Sequence, residues 1–234
     1  MDAIRGARER ARAEITAEIT AEAKRQLAVD GASGLSLRAI ARALGMVSSA
    51  VYRYVASRDE LLTLLIVDAY DSLGAEAEQA AARTRDEPPA ARWQAVARAI
   101  RGWAVDHPHE YALVYGSPVP GYDAPGDTIG PASRVSLALV GIVVDACREG
   151  SLAPPAALPV SVNGPLLVDL EALRAQLDAD VPIDALVRLL AAWTQLFGLV
   201  SFELFGQTRN VIDAHDDLFD ATTSLMARAI GLTD

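Results

Sequence analysis

Apolar residues recur every four positions through the first helix-like stretch. Ile15, Ile19, Ala23 and Leu27 share one face, with charged residues between them, and this predicts an amphipathic helix over residues 8–29. Asp30, Gly31, Ser33 and Gly34 end it in a turn. Ser36 is placed to cap a second helix over 37–44, and Gly45 closes that helix. A third, short helix is expected over 47–55. Ser57-Arg58-Asp59-Glu60 has the S-x-x-E form of a capping box and opens a long helix over 58–81, with Leu61, Leu65, Ala69 and Leu73 as its stripe.

The same periodicity continues down the chain. Glu87-Pro88-Pro89 starts a helix striped by Trp93, Val96, Ile100 and Trp103, which stops near His107-Pro108. A short helical piece follows at 109–115. Eight of the sixteen residues in 116–131 are Gly or Pro, so this is the main loop. Helices at 132–149 and 166–178 flank a second loop with Pro154, Pro155, Pro159 and Pro165, and two long helices at 182–206 and 211–230 finish the chain. No stretch alternates as a strand does. The fold class is all-α: an N-terminal three-helix unit over 1–57 and a larger helical part over 58–234, with the long helix shared between them.

Composition and charge sharpen this picture. At 51% hydrophobic and 22% charged, the 234 residues carry ample apolar surface for a core. Residues 1–58 hold ten Lys/Arg against six Asp/Glu, a net +4, while the other 176 residues carry a net −14. A basic head on an acidic body suits a chain whose head alone meets a polyanion; charge on the wet faces of helices is the plainer alternative. Cys147 is the only cysteine, which suits a reducing cytoplasm, and 1–10 has no apolar signal-peptide core. Charges at Asp184, Arg188 and Glu203 make 183–205 read as a core or interface helix rather than a membrane span.

The short helix carries the chemistry. On a helical wheel Val47, Val51 and Val55 form one apolar edge, while Ser48 with Tyr52 and Ser49 with Arg53 form two polar rows. The preceding helix adds Ile40, Ala43 and Leu44 toward the same core, and the small Ala43 would let a neighbouring helix cross closely. Two short helices joined at a glycine, the second presenting polar groups outward, make a helix-turn-helix, and such a helix fits a DNA major groove. Ser48 and Ser49 are candidates for base edges, and Arg53 for guanine or a phosphate. Ser36, Tyr52, Tyr54 and Arg58 are candidates for phosphates, and Arg38 is a further DNA-binding candidate.

The run LRAIARALG at 37–45, followed by Val51-Tyr52, Tyr54 and Ser57-Arg58-Asp59-Glu60-Leu61, resembles the DNA-binding signature of the tetracycline-repressor (TetR) family of transcriptional regulators. The family usually has Ser or Thr where Val47 stands; here the hydroxyls come one residue later. Its usual Phe is Val55 and its usual Lys is Arg58. Trp193 through Gly198 is similar to the C-terminal Trp-x-x-x-His-Gly of one subgroup, with Phe197 in place of the histidine.

The resemblance implies a repressor that binds a palindromic operator as a homodimer and is released by a small-molecule effector. It implies pairing through the last two helices, for which Phe202, Phe205, Leu218 and Phe219 are the candidates. It also implies an effector site in the body, where Trp103, Tyr111, Tyr115 and Trp193 are the aromatic candidates. No cofactor, metal or membrane partner is expected. His107, His109 and Glu110 span a helix break, a poor metal-ligand spacing, and Cys147 reads as a core thiol. The hydrolase, nucleotide and zincin motifs are missing. A helical enzyme or a protein-interaction module that does not bind DNA is the alternative.

Overall fold

Alanine-rich, early-proline-free sequence folds mainly as helix. The structure, a computed structural model, describes residues 2–153, 161–177 and 179–233, the side chains of 2–5, 7 and 8 excepted. Pro154, Pro155 and Pro159 of the expected second loop lie outside those residues. Among the described residues there is no strand. The helices are α1 (Asp2–Gly34), α2 (Leu37–Ala43), α3 (Ser48–Val51), α4 (Arg58–Arg83), α5 (Pro89–Asp106), α6 (Pro108–Tyr115), α7 (Ile129–Arg148), α8 (Gly164–Arg174), α9 (Ile183–Leu204) and α10 (His215–Ile230). Packing divides the chain into two compact units: Met1–Asp71 with His107–Pro131, and Ser72–Asp106 with Ala132–Asp234. The division expected at 57–58 follows a sequence motif; packing places its own boundary inside α4.

The first unit is built on one apolar cluster. Ile19, Ala23, Leu27, Leu37, Ile40, Val51, Val55, Leu61 and Leu65 are all at most 5% exposed. The predicted stripe of α1 therefore faces inward, although the helix extends beyond both expected ends and kinks at Gly31, where φ is 68°. The Ser36 hydroxyl accepts from the Ala39 N–H at 3.4 Å, as a cap does. Gly45 takes φ 65° at the turn, a conformation that an L side chain resists. The capping box closes with a small shift: the Glu60 N–H bonds Ser57 Oγ at 3.1 Å, while the Glu60 carboxylate takes the N–H of Ala56 at 2.6 Å. On α6, Glu110 meets Lys24 of α1 at 3.3 Å, and Asp68 of α4 meets the same ammonium at 2.5 Å. Burial works against that ammonium, but the hydrogen bonds and charges of Asp68 and Glu110 outweigh it and hold its pKa above the ordinary value.

In the second unit α5, α9 and α10 pack together and α8 lies on α9. Arg101 of α5 forks onto Glu203 of α9 with two bonds of 2.7 Å, reaches Asp216 of α10 at 2.7 Å, and lies over the Phe219 ring at 5.1 Å. Arg98 bonds Asp220 at 2.8 Å. These pairs hold three helices, and the Arg101–Glu203 fork has a planar, bidentate geometry that lysine does not match.

Several boundaries move. The Gly/Pro-rich loop ends earlier than expected, because a 3-10 turn (Gly126–Thr128) runs straight into α7 and Pro131 sits in the first helical turn, where no N–H is needed. The last helix starts at His215 rather than 211, after turns that include Asn210 at φ 65°. Cys147 is half-buried near the end of α7 and donates to the Asp180 carbonyl at 3.3 Å, so it is no core thiol. By length and composition alone, Gly126–Arg148 and α9 would each suffice to cross a membrane.

Two glycines are expected to respond oppositely to alanine. Gly45→Ala, with open space around it but φ 65°, should lose about 1–2 kcal/mol from backbone strain. Gly102→Ala, exposed within α5 and equally free of neighbours, should gain about 0.5–1 kcal/mol. Urea unfolding of both variants reads the two signs.

Candidate nucleic-acid interface

The reading helix is shorter than its wheel suggests. α3 covers only Ser48–Val51, and the chain then tightens. Tyr52 N–H still bonds the Ser48 carbonyl at 3.1 Å, but Arg53 and Tyr54 bond carbonyls three residues back, at 3.2 and 2.9 Å. A four-residue helix cannot stand alone in water. It persists because Val51 and Val55 are fully buried against α1, α2 and α4 residues, a gain of roughly 1.5–3 kcal/mol for each side chain.

Val47 departs from the expected edge. It precedes the helix with extended φ −72° and ψ 139°, so the wheel does not apply to it, and it is 69% exposed. Ala43 is likewise exposed at the end of α2, not at a helix crossing. Outside the buried edge stand Ser49, Tyr52 and Arg53, all exposed, with Ser48 half-buried beside them. Arg38 and Arg42 of α2 are exposed as well, and Ser36, whose oxygen caps α2, keeps its hydroxyl proton for a further acceptor.

Two candidates are tied into the fold. Arg58 Nη2 donates to the Ala32 carbonyl at 2.9 Å, bracing the kinked end of α1. Tyr54 is half-buried, with the Arg12 guanidinium 5.4 Å from its ring centre. Arg12 also donates to the Arg53 carbonyl at 3.2 Å, placing a cation at the tail of the reading helix. Sequence reasoning missed Arg12: forty-one positions separate it from Arg53, and no periodicity signals the contact.

This geometry coincides with a known signature. Residues 19–65 match the model described as bacterial regulatory proteins, tetR family, and residues 93–226 match the tetracyclin repressor-like C-terminal domain. An HTH-type transcriptional regulator of Mycobacterium tuberculosis, Rv1816, is 44% identical over 232 residues, covering 96% of each chain. The chain belongs to the TetR family. As a TetR-family protein it is a DNA-binding transcriptional regulator and not an enzyme. The solved regulatory protein SCO4313 superposes with a TM-score of 0.74 at 38% identity, over 93% of this chain and 97% of that one. A protein from Rhodococcus sp. RHA1 shares the fold at TM-score 0.68 and 24% identity, over 94% of this chain and 95% of that one.

The TetR-type second unit holds a cavity of about 310 Å³ among α7, α8, the turn after it, and α9. Its walls are mostly leucine (Leu137, Leu139, Leu173, Leu177, Leu186, Leu189), joined by Trp193. Trp193 meets Phe197 edge-on at 6.1 Å, and its buried indole N–H has no partner. The stripes that make these leucines look like plain core hid them from a sequence reading. Trp103, in the same unit, is 5% exposed and donates to Ser72 at 2.8 Å. Tyr111 and Tyr115 belong to the first unit, their rings 5.0 Å apart, with Tyr70 at 6.0 Å from Tyr115. Burial, with the neighbouring Tyr70 and Tyr111, drives the Tyr115 hydroxyl far above its ordinary pKa.

Phe202 of α9 is 57% exposed, and Phe205, just past the end of that helix, 45%. Leu218 is half-buried. Phe219 is a correction: at 1% exposure, under Arg101, it belongs to this chain's own core and offers no surface to a partner. Among the described residues no group of three His, Cys, Asp or Glu side chains is placed to hold a metal.

Arg58→Ala is expected to lower unfolding free energy by about 1 kcal/mol through the lost Ala32 bond. Urea denaturation measures it; a variant of unchanged stability would show that the bond contributes nothing.

Proposed function

We propose that this regulator is a cytoplasmic repressor that binds a palindromic operator as a homodimer and leaves it when a small molecule binds the body. Residues 1–57 read DNA, and 58–234 carry the effector site and the pairing face. The observation that carries the reading is the exposed set Ser49, Tyr52 and Arg53, with half-buried Ser48, on α3 and the turn that follows it, a segment whose Val51 and Val55 are fully buried. Arg53 and the serines take base edges; Tyr52, Tyr54, Ser36, Arg38 and Arg58 take the backbone.

Pairing uses Phe202 and Phe205 with Leu218, and the 58% exposed Leu225 of α10 extends the same apolar supply. Two large exposed phenylalanines near the end of one helix are costly in water and natural to an isologous interface. A two-fold dimer presents α3 twice, so the operator repeats in inverted halves. The effector enters the cavity beside Trp193, where leucine walls and an unpartnered indole N–H favour a mostly apolar ligand with one acceptor. A ligand preferring the arrangement unable to bind DNA shifts the population off the operator.

A gel shift with duplex DNA from the gene's own upstream region tests the DNA reading. Binding should weaken steeply as salt rises, and Tyr52→Ala should abolish it while leaving the dimer intact. Normal binding by that variant would remove Tyr52, and with it α3, from the interface. Phe202→Glu should give a folded monomer in sedimentation, with operator affinity reduced at least about tenfold, since two half-sites no longer bind as one. A dimer that survives this change places the pairing face elsewhere.

A further inference from the structure

Val47 is an apolar side chain without a role inside the fold. It stands immediately before α3 and is 69% exposed, so it packs against little. It occupies the cap position, yet its side chain makes no cap bond. Its carbonyl accepts from the Ala50 N–H at 2.8 Å, a contact any residue supplies. Serine, threonine, aspartate or asparagine there would satisfy a free N–H of α3; valine leaves that stabilisation unused. In the chain it is followed by half-buried Ser48 and exposed Ser49, and Tyr52 and Arg53 are exposed as well. A branched hydrocarbon thus stands at the tip of a surface otherwise made of hydroxyl, phenol and guanidinium groups.

Major-groove edges of base pairs offer donors and acceptors in nearly every position. The one apolar group among them is the C5-methyl of thymine. Residues at the start of a reading helix are those that reach base edges. Resting on the DNA reading above, we infer that Val47 packs its isopropyl group on a thymine methyl in each half-site and so determines specificity at that base pair. The residue that forgoes capping α3 is then the one that distinguishes thymine from cytosine by shape rather than by hydrogen bonding.

Deoxyuridine isolates this contact, because it keeps every hydrogen-bonding group and phosphate of thymidine and lacks only the methyl. A duplex is selected from random-sequence DNA by the wild-type protein, its thymines are exchanged for deoxyuridine one at a time, and binding is followed by fluorescence anisotropy. At one symmetry-related thymine per half-site the exchange should weaken wild-type binding about threefold to fivefold, and about tenfold or more when both are exchanged, the scale of one buried methyl group each. Val47→Ala should bind thymine and uracil duplexes alike. Val47→Ser should melt higher than wild type, through its restored cap, and be equally indifferent. Both variants should keep the wild-type salt dependence, since no phosphate contact changes.

Wild-type indifference at every thymine would overturn the inference, as would Val47→Ala retaining the methyl preference. Failure of the wild type to select any duplex would be a different result: it would remove the DNA reading itself.

Discussion

Burial of Val51 and Val55 is the constraint on which the DNA-binding head depends. α3 has four residues and no side-chain cap, so its backbone hydrogen bonds alone cannot hold it. Val51 within it and Val55 just beyond it, both fully buried, fix its rotation about its own axis. With one edge committed to the core, the remaining positions have no choice of direction. Ser49, Tyr52 and Arg53 face water, and through water any polyanion that approaches. Arg12 then braces the far end of the helix from α1, on the Arg53 carbonyl and the Tyr54 ring. Packing energy is thereby converted into a displayed pattern of polar groups.

The second unit follows a different logic. Its helices are tied by arginine: Arg101 to Glu203 and Asp216, Arg98 to Asp220, Arg134 to Glu78 with bonds of 2.8 and 2.6 Å. The Arg98 and Arg134 pairs are partly exposed and contribute modestly to stability, but the bidentate forks of Arg101 and Arg134 fix helix register. In contrast the cavity wall contributed by α7, α8 and α9 is mostly leucine, and among the described residues no charged side chain lines it. A helical body with rigid charged ties on one set of contacts and soft apolar contacts on another can repack around a ligand on the soft side. That asymmetry suits the effector response proposed above.

Long stripes were legible in the sequence, and boundaries were not. Ile15 to Leu27, Leu61 to Leu73 and Trp93 to Trp103 announced their helices because many residues vote together. Val47 was misassigned because a wheel presumes helical backbone, and its ψ of 139° is extended. The start of α7 was missed because glycine and proline mark loops on average, while Pro131 in a first turn loses no hydrogen bond. Phe219 looked like pairing surface because composition cannot tell which apolar face a chain covers with its own arginine. The exposure of Ser49, Tyr52 and Arg53, proposed above to meet DNA, was legible, since spacing within one short segment is local. Arg12 and the cavity around Trp193 were not, because both arise from helices distant in sequence.

The most direct measurement of the central claim is a crystal structure of the protein bound to its selected DNA duplex. The account predicts α3 lying in the major groove, with Ser48, Ser49 and Tyr52 against the duplex and Val51 and Val55 still buried in the head. A duplex held by another surface, or an α3 that leaves its valine anchor to make contact, would contradict it.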